Sequence, residues 1–186
     1  MILNIYKPKG ITSFGVVKKI RKIISEKKVG HGGTLDPFAE GVLIVGTGKD
    51  TKKLKNITDS DKSYTASIKL GKITDTLDPE GVVTKKKKIP KLNDSKINEI
   101  LDSFLGTSMQ TPPMFSAKKI GGVKLYELAR KNIIIDREKA QINISDISLI
   151  SFNETRISFS VSCSKGTYIR VLGKEIAEKL GTVGYL

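Results

Sequence analysis

Few residues in this chain have the chemistry of a reactive centre. Asp36 follows Gly30-His31-Gly32-Gly33-Thr34-Leu35 and precedes Pro37. Proline pushes the residue before it out of the helical region, so the carboxylate is expected on an exposed loop. The run Val42-Leu43-Ile44-Val45 then reads as a buried strand that anchors the loop. A carboxylate presented in this way serves as a nucleophile or a general base. Plain turn chemistry is the commoner origin of Asp-Pro in a glycine-rich loop, and on this stretch alone it is the stronger reading. Far along the chain, Tyr168 and Arg170 stand at an expected helix start. A guanidinium keeps a carboxylate ionised and oriented through two charge-assisted hydrogen bonds. A tyrosine ring stacks on a nucleobase, and its hydroxyl moves a proton. Spacing alone does not bring these groups together, and Tyr168 reads equally well as an ordinary half-buried aromatic.

Other chemistries find no support. His31 is the only histidine, and no Gly-x-Ser-x-Gly elbow supplies a serine for it to activate. No acidic cluster suggests a two-metal nuclease. Gly46-Thr47-Gly48-Lys49 resembles a fragment of a phosphate loop, but Leu43 stands where a glycine is required and Asp50 where Ser or Thr is required. The single cysteine, Cys163, excludes an intrachain disulfide, and one Cys with one His argues against a protein-built zinc site. With 33 Lys+Arg against 19 Asp+Glu, the net charge of +14 favours a polyanionic partner, nucleic acid first and an anionic membrane surface second. No apolar run approaches the roughly 20 residues that span a bilayer, and the N-terminus lacks the pattern of a secretion signal. The expectation is a cytoplasmic, metal-free, basic protein, and 186 residues suffice for one domain with a real core.

The elements that must position these residues read as follows. Ile2 to Tyr6 is a strand, stopped by Lys7-Pro8-Lys9-Gly10. Thr12 or Ser13 caps a helix with Val16, Val17, Ile20, Ile23 and Ile24 on one stripe. Asp50 to Ile57 is a short helix carrying Lys52, Lys53 and Lys55. Tyr64, Ala66, Ile68 and Leu70 share one face of a strand. Asp78-Pro79-Glu80-Gly81 is a turn, and Lys85 to Lys88 a solvated basic loop. Ile97, Ile100, Leu101, Phe104 and Leu105 define a second helix, ended by Gly106. Gln110 to Gly122 is rich in structure breakers and exposed apolar types, which suggests a mobile contact element leading to a short helix at Lys124 to Lys131. Ile157, Phe159, Val161 and Cys163 alternate with serines in the clearest strand of the chain, after a strand-like Gln141 to Ile150. A last helix carries Leu172, Ile176 and Leu180 and stops at Gly181. Val183 to Leu186 reads as the start of another element, so the natural chain is expected to continue. Neither a repeat nor a domain boundary is apparent. More strand than helix, in mixed order, gives an α+β class with a largely antiparallel sheet.

Five motifs together resemble the TruB family of bacterial tRNA pseudouridine-55 synthases. They are Lys7-Pro8-Lys9-Gly10-Ile11-Thr12-Ser13, Gly30-His31-Gly32-Gly33-Thr34-Leu35-Asp36-Pro37, Asp61-Lys62-Ser63-Tyr64 with Gly71 to Thr76 after it, Pro112-Pro113-Met114-Phe115-Ser116-Ala117-Lys118, and Ser164-Lys165-Gly166-Thr167-Tyr168-Ile169-Arg170. The resemblance covers essentially the whole chain and implies the pseudouridine synthase catalytic fold over residues 1–186, incomplete at its C-terminus. It also implies an RNA-gripping thumb loop inserted at about 110–131, and a C-terminal PUA-like RNA-binding domain that this chain does not include. It implies that uridine 55 in the T loop of tRNA is flipped out and isomerised by a monomeric enzyme needing no cofactor or metal. Asp36 is then the nucleophile, Tyr168 assists loss of the carbon-5 proton, and Arg170 pairs with Asp36. Tyr64 stacks on the flipped base, His31 helps hold the nucleotide, Lys7 and Lys52 steer phosphates, and Leu186 lines the base pocket. Two alternatives remain: a synthase acting on another RNA, and a non-catalytic protein that binds or folds tRNA.

Overall fold

The N-terminal residues form a three-stranded antiparallel sheet under one helix. In the computed structural model, which describes every residue from Met1 to Leu186, β1 (Ile2–Lys7) is followed by α1 (Ser13–Ile24), β2 (Val29–His31) and β3 (Gly41–Thr47). A 3-10 turn, Gly48–Lys53, leads into α2 (Leu54–Asp59). The strand order is β1-β3-β2, with Ile5 opposite Leu43 and His31 opposite Val45. The expected cap is present: the Thr12 hydroxyl accepts the Gly15 N–H at 2.9 Å. Val16, Val17 and Ile20 of α1 bury against Val29, Leu43 and Val45. Two expectations are corrected here. Ile23 points outward, because the stripe turns away from so small a sheet after Ile20. The run Val42 to Val45 is not buried on both faces. Leu43 and Val45 are interior while Val42 is 64% exposed, the period-2 alternation of a sheet with one covered face.

Glycines bring α2 onto that sheet. A methyl group at Gly32 would lie 2.8 Å from Ile57 Cγ2, and one at Gly46 3.0 Å from Leu54 Cγ. Glycine at these positions lets the aliphatic side chains of α2 come close to the sheet backbone.

Residues 61–186 pack as a second compact unit, residues 1–60 being the first. In order they form β4 (Lys62–Leu70), β5 (Lys72–Thr74), β6 (Val83–Lys86), α3 (Asp94–Asp102) and β7 (Gly106–Gln110). Then come β8 (Lys119–Ile120), β9 (Val123–Lys124), α4 (Leu125–Ala129), β10 (Ala140–Asn153), β11 (Arg156–Cys163), α5 (Ile169–Lys179) and β12 (Gly184–Tyr185). The main sheet runs β12-β4-β11-β10-β7, antiparallel throughout. Ile97 and Leu101 of α3, with Leu172, Ile176, Ala177 and Leu180 of α5, cover the face that carries Ile68, Ile157, Phe159 and Val161. The serines alternating with that face form hydroxyl pairs across β4 and β11: Ser63 with Ser162 at 2.8 Å and Ser67 with Ser158 at 2.6 Å. Cys163 is buried, and burial pushes its thiol pKa up.

Three further expectations change. The second helix stops at Asp102 rather than near Gly106, and Phe104 lies under the Lys179 ammonium at 4.3 Å. Lys85 and Lys86 are strand residues in a hairpin with β5, although both are exposed as expected. The breaker-rich stretch is not uniformly exposed: Gln110, Pro112, Pro113 and Ser116 are buried. Proline has no N–H to satisfy, so burying its backbone carries one hydrogen-bonding demand instead of two.

Candidate active site

Asp36 occupies a loop held at both ends and in the middle. The buried Ser13 hydroxyl grips Leu35 on both sides, accepting its N–H at 2.9 Å and donating to its carbonyl at 3.1 Å. One residue beyond Asp36, the Pro37 carbonyl accepts the Gly10 N–H at 2.8 Å and the Lys7 ammonium at 3.4 Å. The loop's exit is tied by Glu40, which accepts the Tyr6 hydroxyl at 2.7 Å and lies 3.4 Å from the Lys9 ammonium. The Tyr6 hydrogen bond, then the Lys9 contact, hold the Glu40 carboxyl below its usual range. A type of turn closes the peptide around Asp36 itself, with the Ala39 N–H on the Asp36 carbonyl at 3.1 Å. The half-buried Asp36 side chain thus sits on a backbone whose course is set by five other residues.

Lys7 corrects an expectation. Its side chain is 0% exposed, and its ammonium donates to the carbonyls of Ile11 at 2.8 Å, Pro8 at 3.0 Å and Pro37 at 3.4 Å. A cation so enclosed does not meet a phosphate; it ties the Lys-Pro-Lys-Gly turn to the aspartate loop. Lys52 lies exposed on the 3-10 turn, where a phosphate can reach it. His31 ends β2 half-buried, its Nδ1 shut from solvent without a hydrogen-bond partner.

In the second unit Tyr168 and Arg170 stand at the start of α5, with Leu186 beside the same helix. Tyr168 is the N-cap of that helix. Arg170, two residues on, is buried and donates to the Thr76 carbonyl at 2.7 Å and the Phe115 carbonyl at 2.7 Å. It also lies 3.4 Å from Asp78 Oδ2 in a pair whose two side chains are 7% and 6% exposed. Asp78 in turn accepts the Thr76 hydroxyl at 2.6 Å and the Glu80 N–H at 3.0 Å. Its backbone is held by the Thr74 hydroxyl on both sides. Leu77 completes this tight turn at φ +62°. The Leu77 carbonyl accepts the Leu186 N–H at 3.2 Å, so Arg170 and Leu186 flank one turn. Leu186 also lies against α5 at Gly173, where a methyl group would come within 3.0 Å of its Cδ2. Tyr64, opposite Val161, packs on the same core as Leu186 and Ile169.

Sequence reasoning missed three residues here. Asp78 reads as turn chemistry, Gln110 as a loop entry and Ser13 as a helix cap, yet all three are buried; Asp78 pairs with Arg170, Gln110 bonds Tyr168, and Ser13 bonds Leu35 beside Asp36. For Asp78 a signal was present, since an acidic residue between two threonines and a proline has side-chain partners within reach.

Comparison with known proteins gives the family of the chain. Residues 21–169 match the family model described as TruB family pseudouridylate synthase (N terminal domain). A tRNA pseudouridine synthase B of Clostridium tetani is 49% identical over 180 residues, covering 97% of this chain and 62% of its own length. The protein of that name from Hydrogenovibrio crunogenus is 45% identical over 185 residues, covering 100% of this chain and 61% of its own. The chain therefore spans about six-tenths of the length of these relatives. Among solved structures, a chain of a Cbf5-Nop10-Gar1 complex superposes with a TM-score of 0.75 at 29% identity, over 99% of this chain and 45% of that one. An H/ACA RNP bound to a substrate RNA containing 2'-deoxyuridine gives 0.70 at 25% identity, over 99% and 44%. The chain belongs to the TruB family of pseudouridylate synthases, by a match to the N-terminal domain that covers both the aspartate loop and the start of α5.

Proposed function

We propose that this chain isomerises uridine 55 in the T loop of tRNA to pseudouridine. The observation that carries the reading is the aspartate loop. Ser13, Gly10, Lys7, Tyr6 and Lys9 all serve to hold a backbone whose one reactive side chain is Asp36. Turn chemistry alone needs no such bracing. Family membership supplies the reaction class, and the higher identity to tRNA pseudouridine synthases B than to Cbf5 chains favours tRNA over another RNA as substrate.

The chemistry runs as follows. The target nucleotide leaves its stack, as enzymes acting on a base require, with Tyr64 stacking on it, Leu186 lining its pocket and His31 holding the extruded unit. Asp36 attacks as nucleophile, and the bond from ribose carbon 1' to nitrogen 1 breaks. The uracil turns, and carbon 5 bonds to carbon 1'. The carbon-5 proton leaves with the help of Tyr168, nitrogen 1 gains a proton, and Asp36 is released. Atoms and electrons balance within the nucleoside. Arg170 supplies the positive charge that keeps the nucleophile ionised. Lys52 steers phosphates, and the enzyme works as a cytoplasmic monomer on the T arm.

Tritium release from tRNA carrying 5-tritiated uridine tests the proposal. Asp36→Asn is expected to abolish release while tRNA affinity stays within about threefold, because one carboxylate contributes little to phosphate-dominated binding. Equal loss of release and of binding would count against Asp36 as nucleophile. Binding by the unaltered chain without release would favour the non-catalytic tRNA-binding reading.

A further inference from the structure

Tyrosine is a poor N-cap. Its hydroxyl stands too far out to accept the free N–H groups of the first turn, a task that Ser, Thr, Asp and Asn perform. Tyr168 nonetheless holds that position in α5, and its side chain makes no capping hydrogen bond. Its backbone is fixed from elsewhere. The Tyr168 N–H donates to Gln110 Oε1 at 2.8 Å, and Gln110 Nε2 donates back to the Tyr168 carbonyl at 3.3 Å. One primary amide thus engages both backbone polar groups of one residue, 58 positions away in sequence. Gln110 is 3% exposed, so its amide has no water with which to exchange these bonds.

Gln110 is also the last residue of β7, paired with Ala140, and the first of the 110–131 insertion. Five residues further on, the Phe115 carbonyl takes a hydrogen bond from Arg170 at 2.7 Å. The root of the insertion is therefore fastened twice to the first turn of α5, at Tyr168 and at Arg170. Any movement of that root is passed to the backbone that aims the Tyr168 hydroxyl.

We propose that Gln110 is a positioning residue for Tyr168, coupling the root of the insertion to that tyrosine. This rests on the reading of Tyr168 as the residue that helps remove the carbon-5 proton. The full chain is compared with Gln110→Met, which keeps length and loses both hydrogen bonds, and with Gln110→Glu, which keeps an acceptor for the Tyr168 N–H. In Gln110→Met, amide exchange at Tyr168 is expected to accelerate. The turnover number should fall about tenfold, the worth of one buried hydrogen bond lost from the reacting geometry, with KM for tRNA within twofold. Gln110→Glu should keep more turnover than Gln110→Met. Unchanged Tyr168 exchange in Gln110→Met would overturn the clamp whatever the activity. A rise in KM with turnover intact would overturn the positioning role and make Gln110 a residue of RNA binding. Turnover absent from the unaltered chain would remove the synthase reading itself, and with it this role, while the exchange rates still report whether the clamp exists.

Discussion

A lysine with no exposed surface is an unusual element of a basic protein. Removing an ammonium from water costs several kcal/mol unless fixed dipoles replace the solvent, and at Lys7 three backbone carbonyls do so. These belong to Pro8, Ile11 and Pro37, two neighbours of the lysine and one residue of the aspartate loop. Lys7 therefore acts on the fold around Asp36 and not on the polyanion outside. Lys7→Met conserves volume but leaves the carbonyls without their donor. We expect a stability loss of about 1–3 kcal/mol, measured by denaturant unfolding. We expect no change in how tRNA affinity depends on salt, whereas loss of a phosphate contact would lower that slope by about 1. From the sequence, Lys7 is one more cation in a cationic chain. Its burial depends on the return of Pro37, which local pattern does not report.

At the scale of elements the sequence was most readable where periodicity was strict. Serine alternating with Ile157, Phe159, Val161 and Cys163 sets both the strand and its buried face, and the apolar spacing of Leu172, Ile176 and Leu180 does the same for α5. Contacts between distant segments were not readable. The Gln110 clamp closes over 58 residues and the Arg170–Thr76 bond over 94, and no local pattern encodes such pairs. The resemblance offers roles for Asp36, Tyr168 and Arg170 as expectations, but it says nothing of the supports beneath them. α5 carries one feature that periodicity hides. Glu175 lies partly buried on it, and desolvation raises its carboxyl pKa above the usual range, with Lys174 opposing the shift. A folded-state pKa above the unfolded value means that the folded chain binds the proton more tightly. The contribution is then favourable below the unfolded pKa and is lost as pH rises through the folded pKa. Glu175→Gln removes that loss. Its melting temperature should exceed that of the unaltered chain at pH 7, and the gain should vanish near pH 4. Equal shifts at both pH values would place the effect in packing instead of charge.

Over the whole molecule, the basic excess is not confined to a tail or a single element. Residues 1–60 carry 12 Lys+Arg against 5 Asp+Glu, and residues 61–186 carry 21 against 14, so both compact units contribute. Spread in this way, the charge repels itself in the folded state and lowers stability unless a polyanion neutralises it. An enzyme acting on a folded RNA would use it to bind backbone by charge and leave selection of the uridine to shape and to the extruded base. The consequence is thermodynamic and testable without turnover. Each phosphate neutralised releases condensed counterions, and the logarithm of affinity falls linearly with the logarithm of salt. If about four phosphates of tRNA are engaged, a fourfold rise in salt should weaken binding about a hundredfold. Filter binding or fluorescence anisotropy across that range measures the slope for the unaltered chain. A steep slope shared by Asp36→Asn would separate the charge that binds RNA from the carboxylate that acts on it. A flat slope would mean that the +14 charge has no phosphate backbone to meet, and a tRNA substrate would no longer account for it.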